Sequence, residues 1–122
     1  DVTATELADE LAGGVLSAGP DRLTAAGAAG VPQVISVGAL DMVNFGAKET
    51  VPPEFRGRRL HVHNANVTLM RTTPEENRAA ARWIAAKLNR STTPLVLLIP
   101  EGGVSALDAP GQPFWDPAAD AA

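Results

Sequence analysis

The sequence predicts an α/β domain with an open, largely parallel sheet flanked by helices. Three observations carry that expectation. Residues 74–89 repeat apolar side chains at helical spacing, with Ala80, Trp83, Ile84 and Leu88 on one stripe and Arg78, Arg82 and Lys87 off it. Leu95–Ile99 is an unbroken apolar run of strand length, the pattern of a central strand covered on both faces. Helical segments alternate with strand-like ones along the chain, as in sheets built from crossover units. At 122 residues the chain suits one domain, 1–122, able to bury a core without disulfides or metal staples.

In order, Thr3–Ala12 reads as a helix with Leu7 and Leu11 on one face and Glu6, Asp9 and Glu10 toward water, closed by Gly13-Gly14. Ser17–Pro20 is turn chemistry, and Asp21 caps a second short helix through Leu23, Ala25 and Ala26. Val31–Gly38 reads as a buried strand, with Pro32 near its start where a missing donor is tolerable. Ala39–Pro53 has no clear period and reads as a long loop with one helical turn. Arg58–Asn64 and Val67–Met70 read as strands about an Asn64-Ala65-Asn66 turn. Thr73, Pro74 and Glu76 then spell an N-cap, a first-turn proline and a capping box for the helix to Asn89. After the strand at 95–99, Val104–Trp115 reads as a second long loop, and Asp116–Ala122 as the opening of a helix that stops at once. Both ends of the chain look cut.

There is no cysteine, which excludes a disulfide scaffold, a thiol nucleophile and any Cys-based zinc site. No apolar run approaches the ~18 residues of a membrane span, and the N-terminus has no signal-peptide layout. A net charge of −4 argues against general nucleic-acid binding. The distribution is blocked: residues 1–55 hold eight acids and two bases, residues 56–90 eight bases and two acids, and residues 91–122 four acids and no base. Either the blocks neutralise one another in the fold, or some of Arg56, Arg58, Arg59 and Arg71 form a positive patch for a phosphate.

In open sheets of this kind ligands sit beyond the carboxyl ends of the strands. Three loops are expected there: Gly38–Gly46, Arg71–Glu76 and Glu101–Gly111. Arg71, Thr72 and Thr73, at a strand end and a helix N-terminus, offer a guanidinium, hydroxyls and N–H groups to an anion. Gly38, Asp41 and Asn44 stand in the first loop. In the third, Gly102 and Gly103 allow close backbone approach, Glu101 can accept from a ribose hydroxyl or act as a base, and Ser105 follows. His61 and His63, two apart on a strand, share a face and could ligate a metal with Asp41 or Glu101, but the commoner arrangement is one buried and one exposed ring, and no metal site is assigned. No Gly-x-Ser-x-Gly elbow surrounds Ser105, and neither a P-loop nor Gly-x-Gly-x-x-Gly is present.

The segments Val31–Gly46, His61–Asn64, Val67–Asn77 and Ile99–Asp108, with the opening Asp1–Asp9, resemble the ATP-binding family named for a tomato mosaic virus resistance protein, whose bacterial members are described as an uncharacterised protein family. The resemblance covers nearly the whole chain and places it as the C-terminal α/β subdomain of a longer protein. It implies a Rossmann-like fold, a missing N-terminal subdomain, a cytoplasmic location, self-association, and ATP as ligand with Mg²⁺ as a candidate companion. It supplies no settled reaction. The leading expectation is a subdomain that binds a nucleotide or other small phosphorylated molecule, with no nucleic-acid or membrane partner. The alternatives are an enzyme using Glu101, Asp41 or His63 in acid–base or metal-assisted chemistry, and an oligomerisation or protein-interaction module.

Overall fold

A computed structural model describes all residues, 1–122. The elements run α1 (Thr5–Ala12), α2 (Ala25–Ala28), β1 (Gln33–Ser36), β2 (Met42–Phe45), β3 (Leu60–Asn64), β4 (Val67–Arg71), α3 (Pro74–Leu88), β5 (Leu95–Leu98) and α4 (Pro117–Asp120), with single 3₁₀ turns at Lys48–Thr50 and Pro53–Phe55. The α/β class and the open sheets are as expected. The strands, however, divide into two sheets. β1 and β5 pair in parallel, and β2, β4 and β3 form an antiparallel sheet in that order. Only one of the three pairings is parallel, because residues 60–71 turn back on themselves at Asn64–Asn66 and β2 pairs along the other side of β4. A tight turn can return a chain only antiparallel; a parallel neighbour needs a crossover.

β2 lies inside the stretch expected to be a loop. Met42-Val43-Asn44-Phe45 is too short to show a period, and Asn44 breaks its apolar character. Pairing with β4 supplies what the local sequence lacks: Val43 faces Met70 and Phe45 faces Thr68, and all four residues are buried.

The core lies where α1 and α3 meet the strands. Leu7, Ile35, Leu40, Val43, Phe45, Met70, Ala80, Ile84 and Leu88 form one buried cluster. In α1 the expected facing is wrong at two residues. Leu11 is exposed, and Asp9 is fully buried. The Asp9 carboxylate is enclosed because it accepts from the backbone N–H of Leu16 (2.7 Å), the backbone N–H of Asn44 (2.7 Å) and the Asn44 side-chain amide (3.1 Å). Burial raises its pKa against the pull of those donors. Lys87, off the apolar stripe of α3, is buried too; its ammonium bonds the Pro20 carbonyl and sits 4.3 Å above the Trp83 ring.

β5 departs furthest from expectation. It was expected to be central and covered, yet Val96, Leu97 and Leu98 are 41–52% exposed. Its one neighbour is β1, so its outer edge carries no partner strand.

Candidate functional site

Thr73 opens α3 as the sequence requires. Its hydroxyl accepts from the Glu76 N–H (3.1 Å), and the Glu76 carboxylate accepts from the Thr73 N–H (2.7 Å). Arg58 then grips Glu76 with two bonds of 3.1 and 2.8 Å. Burial alone would raise the Glu76 pKa, but the Arg58 and Thr73 donors outweigh it and hold the carboxyl below its usual range. The positive end of α3 is thus already filled by a carboxylate of the protein.

One residue back, Arg71 ends β4 and is buried. All three guanidinium nitrogens have partners within the protein. Nε donates to the Phe114 carbonyl (2.9 Å), one terminal nitrogen to the Thr72 hydroxyl (3.0 Å), and the other to Asp120 (2.5 Å), with Asp108 at 3.5 Å. Thr72 in turn donates to the Leu40 carbonyl (2.9 Å), and its N–H bonds the Asp41 carbonyl (3.0 Å). Arg59 reaches Asp116 at 3.8 Å. Two arginines of the basic block are therefore paired with acids of the last block, which favours mutual neutralisation over a free positive patch.

These bonds gather parts of the three expected loops. The Ala39 N–H bonds the Val104 carbonyl (2.7 Å), and the Ser105 hydroxyl donates to Asp41 (2.7 Å). Gly38 is buried against the first residues of the chain: a Cβ there would stand 2.5 Å from the Val2 carbonyl oxygen. Gly103 adopts φ +108°, and a Cβ on it would meet the Asp108 carbonyl oxygen at 1.6 Å, so both glycines are required by packing. Asp41, Arg71, Thr72 and Ser105 converge. Asn44 does not join them; it sits within β2, bonded to Thr5 (2.9 Å) and Asp9. Glu101 and Gly102 are exposed beyond β5, with open space around the Gly102 Cβ position. The histidines diverge, separated by a bulge between Val62 and Asn64: His61 lies edge-on to Phe114, with ring centroids 6.2 Å apart, while His63 is exposed. No group of three or more His, Asp or Glu side chains is placed to hold a metal ion.

The convergent residues back onto a pocket of about 220 Å³ between α3 and the carboxyl ends of β1 and β5. Its walls are apolar, from Val37, Leu40, Ala81, Ile84, Ala85, Leu88, Leu97, Ile99 and Val104, and its polar lining is Asp41, Asn77 and Asp120. Two oxygens of these lining residues, Asp41 Oδ1 and Asn77 Oδ1, are buried without a hydrogen-bond partner. The other oxygen of Asp41 takes the Ser105 hydroxyl, and the Asn77 amide nitrogen donates to the Ala119 carbonyl (2.7 Å). Burial raises the Asp41 pKa above the usual carboxylate range despite Ser105 and Arg71. Asp120 is raised as well, by burial and by its neighbour Asp108, against the pull of Arg71.

Chemically the site is acceptor-rich. Three acids surround one arginine, so its balance suits a hydrogen-bond donor better than an anion. Ser105 with Asp41 is a hydroxyl–carboxylate pair without an imidazole between them. Asn77, Asp108 and Asp120 are not among the site residues the sequence singles out. Asn77 was detectable as the one polar residue on the stripe Asn77, Ala81, Ile84, Leu88. Asp108 and Asp120 were signalled by an acidic block lacking any base.

The full chain, residues 1–122, matches the profile of the uncharacterised protein family (UPF0261) C-terminal domain. A UPF0261 protein of Rhizobium meliloti is 62% identical over 122 residues, which is 100% of this chain and 31% of the relative. One from Clostridium tetani is 58% identical over 115 residues, covering 94% of this chain and 28% of the relative. The ToMV resistance protein Tm-1 of Solanum lycopersicum is 53% identical over 119 residues, covering 98% of this chain and 16% of that protein. The chain thus spans less than a third of the length of these relatives.

Proposed function

This chain belongs to the uncharacterised protein family UPF0261, as its C-terminal domain, and on that premise we propose that it is a small-molecule-binding domain whose ligand is a nucleotide. The observation that carries the reading is the pair of unpartnered buried oxygens, Asp41 Oδ1 and Asn77 Oδ1, on residues that line a pocket whose only other polar residue is Asp120. A buried acceptor left without a donor costs about 1–3 kcal/mol, and a ligand that brings the donor recovers that cost. A nucleobase fits both requirements. Its faces lie against Ala81, Ala85, Leu97 and Ile99, and an exocyclic amine donates to the two oxygens. The pocket, about 220 Å³, falls below the ~300–1,000 Å³ of sites that enclose a whole ligand, so it takes the base alone.

Sugar and phosphates then lie outside, toward Glu101-Gly102-Gly103 and the remainder of the longer protein. Glu101 is free to accept from a ribose hydroxyl, and Gly102 leaves room for close approach. Arg71 and Thr72 serve this reading by holding lining residues in place, Arg71 through Asp120 and Thr72 through Leu40 and Asp41, while Thr73 caps α3. ATP as the particular nucleotide rests on the family resemblance. Magnesium would arrive with the phosphates, and no carboxylate here is assigned to it.

Calorimetric titration of ATP, ADP, adenosine and inorganic phosphate into the full-length protein and its Ala85→Phe variant tests the proposal. Ala85 is an exposed position on α3, so the larger ring fills the pocket mouth without entering the core. The expected result is that adenosine and ATP bind the parent, phosphate alone does not, and Ala85→Phe loses both ligands at an unchanged melting temperature. A variant that binds ATP as tightly as the parent overturns it.

A further inference from the structure

The two-stranded sheet β1–β5 has an inner face, where Ile35 pairs with the pocket-lining Leu97, and an opposite face that is bare except at Ser36, which is buried. In the parallel register Val34 lies beside Val96 and Ser36 beside Leu98 on that second face. Val34, Val96 and Leu98 are 53%, 52% and 50% exposed. The edges of the sheet are unequal. Along β1 the free side is taken by the first residues of the chain: the Asp1 amino group bonds the Val34 carbonyl (2.8 Å), the Ser36 N–H the Asp1 carbonyl (2.9 Å), and the Ala4 N–H the Gly38 carbonyl (2.8 Å). Along β5 the outer side is bare. Leu95–Ile99 has no charge, no internal proline and no bulge, so only its short length protects the exposed edge. Parallel strands of this apolar character occur with both faces covered.

We infer that the outer edge of β5 and the Val34–Val96–Leu98 face are the seat of a further strand and its apolar cover, supplied by the same polypeptide from outside these 122 residues. The relatives carry ample chain for it, since the part matched here is 31% and 28% of the two bacterial proteins. A tethered segment docks at a high effective concentration, which a free partner lacks. A second copy suits the surface less well. β5 is four residues long, and two such edges meeting about a two-fold axis give a contact far short of the ~1,200–2,000 Å² of stable association. The inference concerns the face opposite the pocket and does not depend on what the pocket binds.

The test uses the full-length protein. Hydrogen exchange is followed on peptides covering residues 95–99 and, as an internal reference, residues 67–71 of β4. The expected result is that the β5 amides exchange as slowly as those of β4, at every protein concentration across a wide dilution series. Leu98→Lys, which places a charge on the covered face, is expected to lower the melting temperature of the full-length protein. Fast exchange at 95–99 together with an unchanged melting temperature for Leu98→Lys overturns the inference. Protection that disappears on dilution also overturns it, because a second copy would then be the occupant.

Discussion

β4 and β5 make an instructive pair. β4, Val67-Thr68-Leu69-Met70-Arg71, carries a hydroxyl and a full positive charge, and its last four residues are buried. β5, Leu95-Val96-Leu97-Leu98, carries nothing polar, and its last three residues are exposed. By hydropathy alone the assignments would be reversed. The difference comes from neighbours. β4 is the middle strand of its sheet, and Arg71 is admitted to the interior because Asp120, Asp108, Thr72 and the Phe114 carbonyl meet its guanidinium. β5 is an edge strand with one face bare. Apolar character creates a demand for burial, but only another element can meet it.

The largest expected effect lies in the charge that β4 buries. Arg71→Ala leaves Asp108 and Asp120 without their cation in a closed site, and breaking a buried pair in this way costs about 3–5 kcal/mol. Chemical denaturation of the variant measures it. A loss below about 1 kcal/mol would mean that Arg71 is not a structural centre and would reopen the anion-binding role the sequence suggested.

Next comes a direct comparison of the two strands in the 122-residue chain. Met70→Ala removes a fully buried side chain and is expected to cost about 2–5 kcal/mol. Leu98→Ala, at a half-exposed position, is expected to cost less than about 1 kcal/mol in the same chain, because little packing is lost. In the full-length protein the Leu98→Ala cost should rise toward that of Met70→Ala. Equal, small costs for Leu98→Ala in both lengths would remove the distinction between the strands.

The smallest effect concerns pH. Asp41 has a raised folded-state pKa, so it favours the fold while protonated, and that contribution is lost as pH rises through the raised value. Asp41→Asn mimics the protonated form at every pH. The melting temperature of the variant relative to the parent should therefore increase from pH 4 to pH 7. Glu76 works in the opposite sense: its lowered pKa gives stability present at neutral pH and lost as pH falls through the folded value. A variant-minus-parent difference that is flat with pH would show that Asp41 titrates as it does in the unfolded chain.

Much of the local structure was legible. The capping box at Thr73 and the helix behind it could be read from Thr73, Pro74 and Glu76, since every partner lies within three residues. β1, β3 and β5 also fall within their expected spans, and β4 runs one residue past its own, to Arg71. β2 was not legible, because its stability comes from Met70 and Thr68 across the sheet rather than from its own four residues. The buried acid Asp9 could not be read either, since its partners Leu16 and Asn44 come from other elements.

The candidate site divides along the same line. Asp41, Arg71, Thr72 and Ser105 could be named because strand ends and loops mark where polar residues gather in an α/β domain. Their roles could not. An arginine at a strand end reads as an anion ligand until Asp120, 49 positions away, is found on its guanidinium. What the sequence alone determined is what short-range chemistry can determine: the α/β class, the capped helix, the apolar strands, and the blocks of charge that would have to meet. Tertiary structure decided which acid meets which base, which apolar strand is covered, and which oxygens are buried without a partner. Those outcomes depend on contacts between residues tens of positions apart, and no local pattern encodes a partner that far away.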